Sequence, residues 1–214
     1  QTAGLLFGGT SPPSLNATEE YDGTSWVTSP GSLNTSRARL AGCGTQTAGL
    51  AFGGETGAPS GATEKYDGTS WANNPTGLNT ARYELAGVGT QTAALAFGGA
   101  TPADTSATEE YDGSTWTNNP TGLNTARYIL AGAGIQTAAL AFGGSAAGLT
   151  GATEEYDGST WTSSNSLNTA RTNIAGCGTQ TVGLAFGGDI QPPVTGATEE
   201  YDGTSWTSVN SMNT

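Results

Sequence analysis

Five copies of one acidic, aromatic decapeptide hold most of the chain's ionisable groups. ATEEYDGTSW ends at Trp26 and again at Trp206, ATEKYDGTSW ends at Trp71, and ATEEYDGSTW ends at Trp116 and Trp161. Paired carboxylates are the groups that glycoside hydrolysis needs, one as acid and one as base or nucleophile. Fourteen of the 18 acidic residues lie in these copies. An enzyme needs such a pair once, so a box written five times points to a structural job done five times. The structural reading gives Glu19, Glu64, Glu109, Glu154 and Glu199 an arginine partner each, because a guanidinium grips a carboxylate bidentately. The arginines follow a recurring Asn-Thr-Ser/Ala motif, at Arg37, Arg82, Arg127 and Arg171. Lys65 stands where the other copies have a second Glu, which predicts a solvent-facing position. Weak cation binding is the remaining use open to the motif.

The missing residue types exclude more. There is no histidine, which removes Ser-His and Cys-His catalysis, most zinc sites and imidazole proton relays. No phosphate-cradling G-x-x-x-x-G-K motif occurs, nor a D-x-D-x-D-G calcium loop. The sialidase Asp-box, D-x-G-x-T-W, also fails, since Gly23 follows Asp22 directly and Trp26 comes four residues after it. No catalytic residue, cofactor or metal is therefore assigned. The net charge of −12, with only six Lys and Arg, argues against nucleic acid and against an anionic membrane surface as partner. No segment approaches the roughly 20 apolar residues that span a bilayer. The chain begins in mid-repeat without an initiator Met or a signal peptide. It reads as a piece of a longer polypeptide or a processed product.

These side chains must be positioned by a repeating frame. The tryptophans at 26, 71, 116, 161 and 206 are 45 residues apart. LLFGG ends at Gly9, and LAFGG ends at Gly54, Gly99, Gly144 and Gly188. One domain, 1–214, follows, in units of about 1–36, 37–81, 82–126, 127–170 and 171–214. The 34 glycines, with abundant Ser, Thr and Asn, suit short strands and tight turns and oppose helices. The unit opening at Arg82 reads as four strands, near YELAGVG, AALAFGG, ATEEY and STWTN. Asp112-Gly113 is predicted to be a two-residue hairpin turn with positive φ at both positions. Such turns set Tyr21, Tyr66, Tyr111, Tyr156 and Tyr201 beside Trp26, Trp71, Trp116, Trp161 and Trp206 on neighbouring strands, ready to pack between sheets. Burying one Trp removes roughly 200 Å² from water, on the order of 5 kcal/mol as an upper bound. The Gly-Gly pair admits a close neighbour, and the Ala/Gly-rich first strand suits a crowded axis. Cys43 and Cys177 share a repeat position with Val88 and Ala133, which predicts two buried free thiols.

Four-stranded units repeated radially form an all-β propeller. The succession LNTAR, LAGxG, LAFGG, EEYDG and W resembles the kelch repeat over nearly the whole chain. The near-identical copies and their Lys-poor, Ser/Thr/Asn-rich texture are also similar to kelch-like arrays of marine bacteriophage proteins. The expected fold is a five-bladed kelch-like propeller with four antiparallel strands per blade. The first blade is expected to lack its inner strand within this chain or to receive it from elsewhere, because the Arg-led strand occurs four times and the other three strands five times. The resemblance implies that the loops after Gly-Gly and after Trp share one face that binds partners. The former set differs in every unit, and varying loops on a constant frame can acquire a site. Glu55, Asp104, Asp189, Asn74 and Asn118 are the candidate residues of that face. The function expected is a non-enzymatic structural or adhesive module of a virion or other extracellular assembly, with the rest of a longer parent chain or virion proteins as partners. The alternative is a lectin-like module for cell-surface glycan.

Overall fold

The structure, a computed structural model, describes residues 2–10, 13–191 and 193–213. It is a five-bladed β-propeller without helices among the described residues. Blade 1 holds β1 (Gly4–Phe7), β2 (Thr18–Tyr21) and β3 (Trp26–Thr28). Blade 2 holds β4 (Ala41–Thr45), β5 (Ala48–Phe52), β6 (Thr63–Tyr66) and β7 (Trp71–Asn73). Blade 3 comprises β8 (Ala86–Thr90), β9 (Ala93–Phe97), β10 (Thr108–Tyr111) and β11 (Trp116–Asn118). Blade 4 comprises β12 (Ala131–Ile135), β13 (Ala138–Phe142), β14 (Thr153–Tyr156) and β15 (Trp161–Ser164), and blade 5 β16 (Ala175–Gly178), β17 (Gly183–Phe186), β18 (Thr198–Tyr201) and β19 (Trp206–Val209). Each sheet is an antiparallel meander in chain order, so the first has three strands and the others four. As the count of Arg-led segments predicts, blade 1 has no inner strand among the described residues, and β1 is a sheet edge there.

Alternation along the second strand divides its residues between two junctions. In blade 2, Leu50 and Phe52 join a cluster with Ala94, Ala96, Tyr111 and Trp116 of blade 3. Ala51 instead packs with Tyr66 and Trp71 toward Leu5 and Phe7 of blade 1. Every Trp from the second to the fifth thus meets a Phe of the preceding blade: Trp71 with Phe7, Trp116 with Phe52, Trp161 with Phe97 and Trp206 with Phe142, at centroid distances of 4.9–5.0 Å. Each indole N–H also donates to a threonine of that preceding blade, Trp116 to Thr63 for example, at 2.9 Å. The inner-strand glycine makes room for the Phe ring. A Cβ on Gly87 would lie 2.3 Å from Phe52 Cζ, which no ordinary contact tolerates.

Three expectations need correction. The hairpin turn has four residues, not two: Tyr111 pairs with Trp116 across it, and Asp112 N–H bonds to Thr115 O at 3.2 Å. Only Gly113 has positive φ, at 95°. Asp112 contributes through its carboxylate, which accepts the Ser114 and Thr115 N–H groups, an Asx-type turn. Second, Trp26 does not pack between blades. It is 52% exposed, because no blade precedes it in contact. Third, the cysteines are not both buried: Cys43 is half-buried and Cys177 exposed, while Val88 and Ala133 at the same position are buried. Cys177 lies in blade 5, whose far face packs against no other strand pair among the described residues. Among the described residues no hydrogen bond, ion pair or ring contact joins blade 5 to blade 1.

Candidate functional site

The acidic motif is taken up by structural contacts that repeat around the array. Arg37 bonds Glu64 at 2.8 Å, Arg171 bonds Glu199 at 2.8 Å, and Arg82–Glu109 and Arg127–Glu154 form the same pair. All eight side chains are buried, and each pair lies within one blade. Burial pulls the guanidinium of Arg82 toward neutrality and the Glu109 carboxylate opposes it. The geometry is shared with a residue outside the predicted set. Asn79, in the linker from blade 2, donates its backbone N–H to Glu109 at 2.7 Å and its side-chain amide at 2.9 Å. Asn34, Asn124 and Asn168 also donate to the glutamate of the following blade. The buried pair therefore anchors the linker as well as the sheet. Glu19 is the exception: it is half-buried, and none of the described cationic side chains reaches it.

The second acidic position is not simply solvent-facing. Glu20, Glu110 and Glu155 accept the hydroxyl of the next blade's tyrosine, Tyr66, Tyr156 and Tyr201. In blade 2, Lys65 instead lies 5.6 Å from the centre of the Tyr111 ring and donates to Gly113 O at 2.5 Å, while the Tyr111 hydroxyl turns to Asn74 at 3.0 Å. Lys65 thus fits the same seam by different contacts. Tyr21 stands at the free face of blade 1 and packs on Trp26. Desolvation first, then the adjoining carboxylate, pushes the Tyr201 hydroxyl up to about 12. Seam glutamines add a contact absent from the predicted set. Gln136 donates to Tyr111 O at 2.7 Å and Ala94 O at 3.1 Å, reaching into the preceding blade, and Gln91 and Gln180 do likewise. Their signal in the sequence is the invariant Gln-Thr between the first two strands of each unit.

The five aspartates close their own turns. The Thr24 hydroxyl and backbone N–H groups hold Asp22 down to about 2, and the Ser70 N–H leads the same effect at Asp67, also to about 2. Asp112, Asp157 and Asp202 are lowered in the same way.

The loops after Gly-Gly lean on the linkers that open each inner strand. Ala38 pairs with Glu55, Tyr83 with Ala100, Tyr128 with Ser145 and Thr172 with Asp189. Glu55 lies 3.4 Å from Arg39, which also meets Glu84 at 3.3 Å, and Asp189 accepts from Asn173 at 2.6 Å. Asp104 and Asn118 are exposed. Asn74 belongs to a seam rather than an open face, since its amide also donates to Ser114 O of blade 3 at 2.9 Å. Around the axis, Arg39, Glu84, Ile129 and Asn173 take positive φ of 49–55°. Backbone bonds from Glu84 to Arg39 and from Ile129 to Glu84 link consecutive blades there. Among the described residues no three His, Cys, Asp or Glu side chains cluster in a way that could hold a metal ion. No protein-family model matches the chain, and no curated protein does.

Two measurements check these assignments. Glu154→Gln leaves Arg127 buried and unpaired, so urea unfolding should show a loss of about 3–5 kcal/mol, whereas Glu19→Gln should cost under about 1 kcal/mol. Equal losses would mean that the pair does not hold the blade. For pH, the aspartates have folded pKa values below the ordinary carboxylate value of about 3.9. Their contribution is present above that value and disappears as pH falls through the folded one. The urea midpoint should hold above about pH 5 and decline between about pH 4 and 2, less steeply in an Asp67→Asn, Asp112→Asn double variant. An unchanged slope in that variant would contradict the capping role.

Proposed function

We propose that the chain is a non-enzymatic structural or adhesive propeller module of a larger extracellular assembly, specifically a bacteriophage virion, in a fibre, appendage or decoration. The observation that carries the non-enzymatic part is the employment of the acidic motif. Its buried glutamates are tied to arginine, its seam glutamates to tyrosine and its aspartates to their own turns. Paired carboxylates so engaged have neither the open approach nor the separate acid and base environments that hydrolysis requires. The kelch-like order of motifs, the phage-like texture, the single lysine and the absence of histidine support the virion reading. Partners would be the rest of a longer parent chain or other virion proteins.

A lectin-like reading has one observation in its favour, the exposed and variable loop tip around Asp104. Mass spectrometry of purified particles, together with a broad glycan array, separates the two. The virion reading expects the chain in the particle and no saturable glycan binding. A chain confined to the soluble lysate contradicts it, and saturable binding lost in Asp104→Ala supports the lectin.

A further inference from the structure

Every blade carries one Asp–Gly bond in its hairpin turn, with the aspartate exposed: Asp22–Gly23, Asp67–Gly68, Asp112–Gly113, Asp157–Gly158 and Asp202–Gly203. Glycine has no Cβ to shield its backbone nitrogen, so this dipeptide is where a chain can attack its own aspartate. The glycine nitrogen adds to Cγ of the protonated carboxyl and a C–N bond forms. The carboxyl hydroxyl leaves with the proton from nitrogen as water, and a succinimide ring results. Water then opens the ring at the α-carbonyl, breaking that C–N bond and leaving the backbone routed through Cβ as isoaspartate. Water is the only co-reactant. A carboxylate that accepts hydrogen bonds is held ionised and fixed, and those bonds must break before the ring can close. The five turns differ in how firmly they hold it. Oδ1 of Asp67 accepts the Thr69 and Ser70 N–H groups at 2.9 and 2.8 Å and the Thr69 hydroxyl at 2.8 Å. Asp22, Asp112 and Asp157 accept the matching hydroxyl from Thr24, Ser114 and Ser159 at 2.6–2.8 Å. Asp202 accepts the Thr204 and Ser205 N–H groups at 2.8 Å and the Ser205 hydroxyl at 3.3 Å, but not the Thr204 hydroxyl.

We infer that Asp202–Gly203 is a site of isoaspartate formation, the one Asp–Gly bond of the five that converts first while the hydroxyl clasp protects the others. The linkers point the same way. In blades 3 and 4 a threonine of the preceding linker bonds the turn, Thr76 to Ser114 O at 2.6 Å and Thr121 to Ser159 O at 2.5 Å. Leu167 follows Trp161 by six residues where Leu123 follows Trp116 by seven, and the shorter linker has no such threonine. Asn165 alone reaches the blade 5 turn, donating to Thr204 O at 2.9 Å. The modification has a structural consequence. Isoaspartate lengthens the backbone by one methylene and moves the free carboxylate, so the bonds to Thr204 and Ser205 are lost. That turn sets Tyr201 opposite Trp206, and Trp206 is the indole inserted against Phe142 of blade 4. Conversion at Asp202 therefore slackens the seam between blades 4 and 5.

The chain supplies its own control, because Asp67 and Asp202 both stand in YDGTSW and differ only in how the fold holds them. The full chain is aged for several weeks at body temperature in mildly acidic buffer. Isoaspartate at each of the five positions is then counted by peptide mapping with electron-transfer mass spectrometry. Asp202 should convert about three- to tenfold faster than Asp67, the range that one hydrogen bond of ordinary strength supports. Ser114→Ala removes the hydroxyl from Asp112 and keeps the backbone N–H groups. It should raise the rate at Asp112 by a similar factor and leave Asp157 in the same molecule unchanged. In urea, where the clasps are gone, Asp67 and Asp202 should convert at one rate. Equal rates at these two in the folded chain overturn the inference. So does faster conversion of Asp202 in urea, or an Asp112 rate that Ser114→Ala does not move.

Discussion

The insertion of one blade's indole against the phenylalanine of the blade before it is the interaction on which the rest depends. No single sheet here could bury both of its faces, since strands of three to five residues enclose too little apolar surface alone. Phe97 and Trp161 meet at 4.9 Å, and the Trp161 N–H is satisfied by Thr108 at 2.9 Å. The contact therefore combines apolar burial with a paired polar handle, which is the condition for burying an indole. Because the same three groups recur at four seams, each blade leans on its neighbours for much of its burial.

The electrostatics serve that packing. Arg–Glu pairs lie fully buried, where an ion pair brings limited net stability but losing one partner is costly. Their effect is to specify where each linker docks, through the asparagines that share the carboxylate. Tyrosine–glutamate contacts then bridge three of the four seams, and Lys65 and Asn74 meet Tyr111 at the other. Surface aspartates hold the hairpins that bring Tyr and Trp side by side. The decapeptide is so acidic because three different carboxylates in it do three different mechanical jobs, and the sum leaves the chain strongly anionic.

Much of this is legible in the sequence because a fixed period converts one unit's reading into five. Strand order, the three-stranded first blade and the Arg–Glu pairing all follow from motif spacing. The turn is misread because Asp-Gly matches a two-residue hairpin locally, while the Thr or Ser hydroxyls and amides that satisfy Asp112 become visible only in three dimensions. Lys65 looks like a sign of exposure, yet a long side chain can enter a seam by lying on an aromatic face. Asn74 looks like a loop residue and is a seam residue, because its partners are 37 and 40 positions away in the next blade. Residues at the two ends, Trp26 and Cys177 above all, are copies of buried ones. Their exposure depends on the neighbour, which no single unit encodes.

The central claim is tested most directly by comparing two chemically identical truncations, Trp116→Ala and Trp26→Ala, by urea unfolding. Trp116 is 5% exposed and Trp26 is 52% exposed. If seam insertion of the indole holds the array together, the first should lose about 3–5 kcal/mol and the second under about 1 kcal/mol. Equal losses, or a loss under about 1 kcal/mol at Trp116, would contradict it.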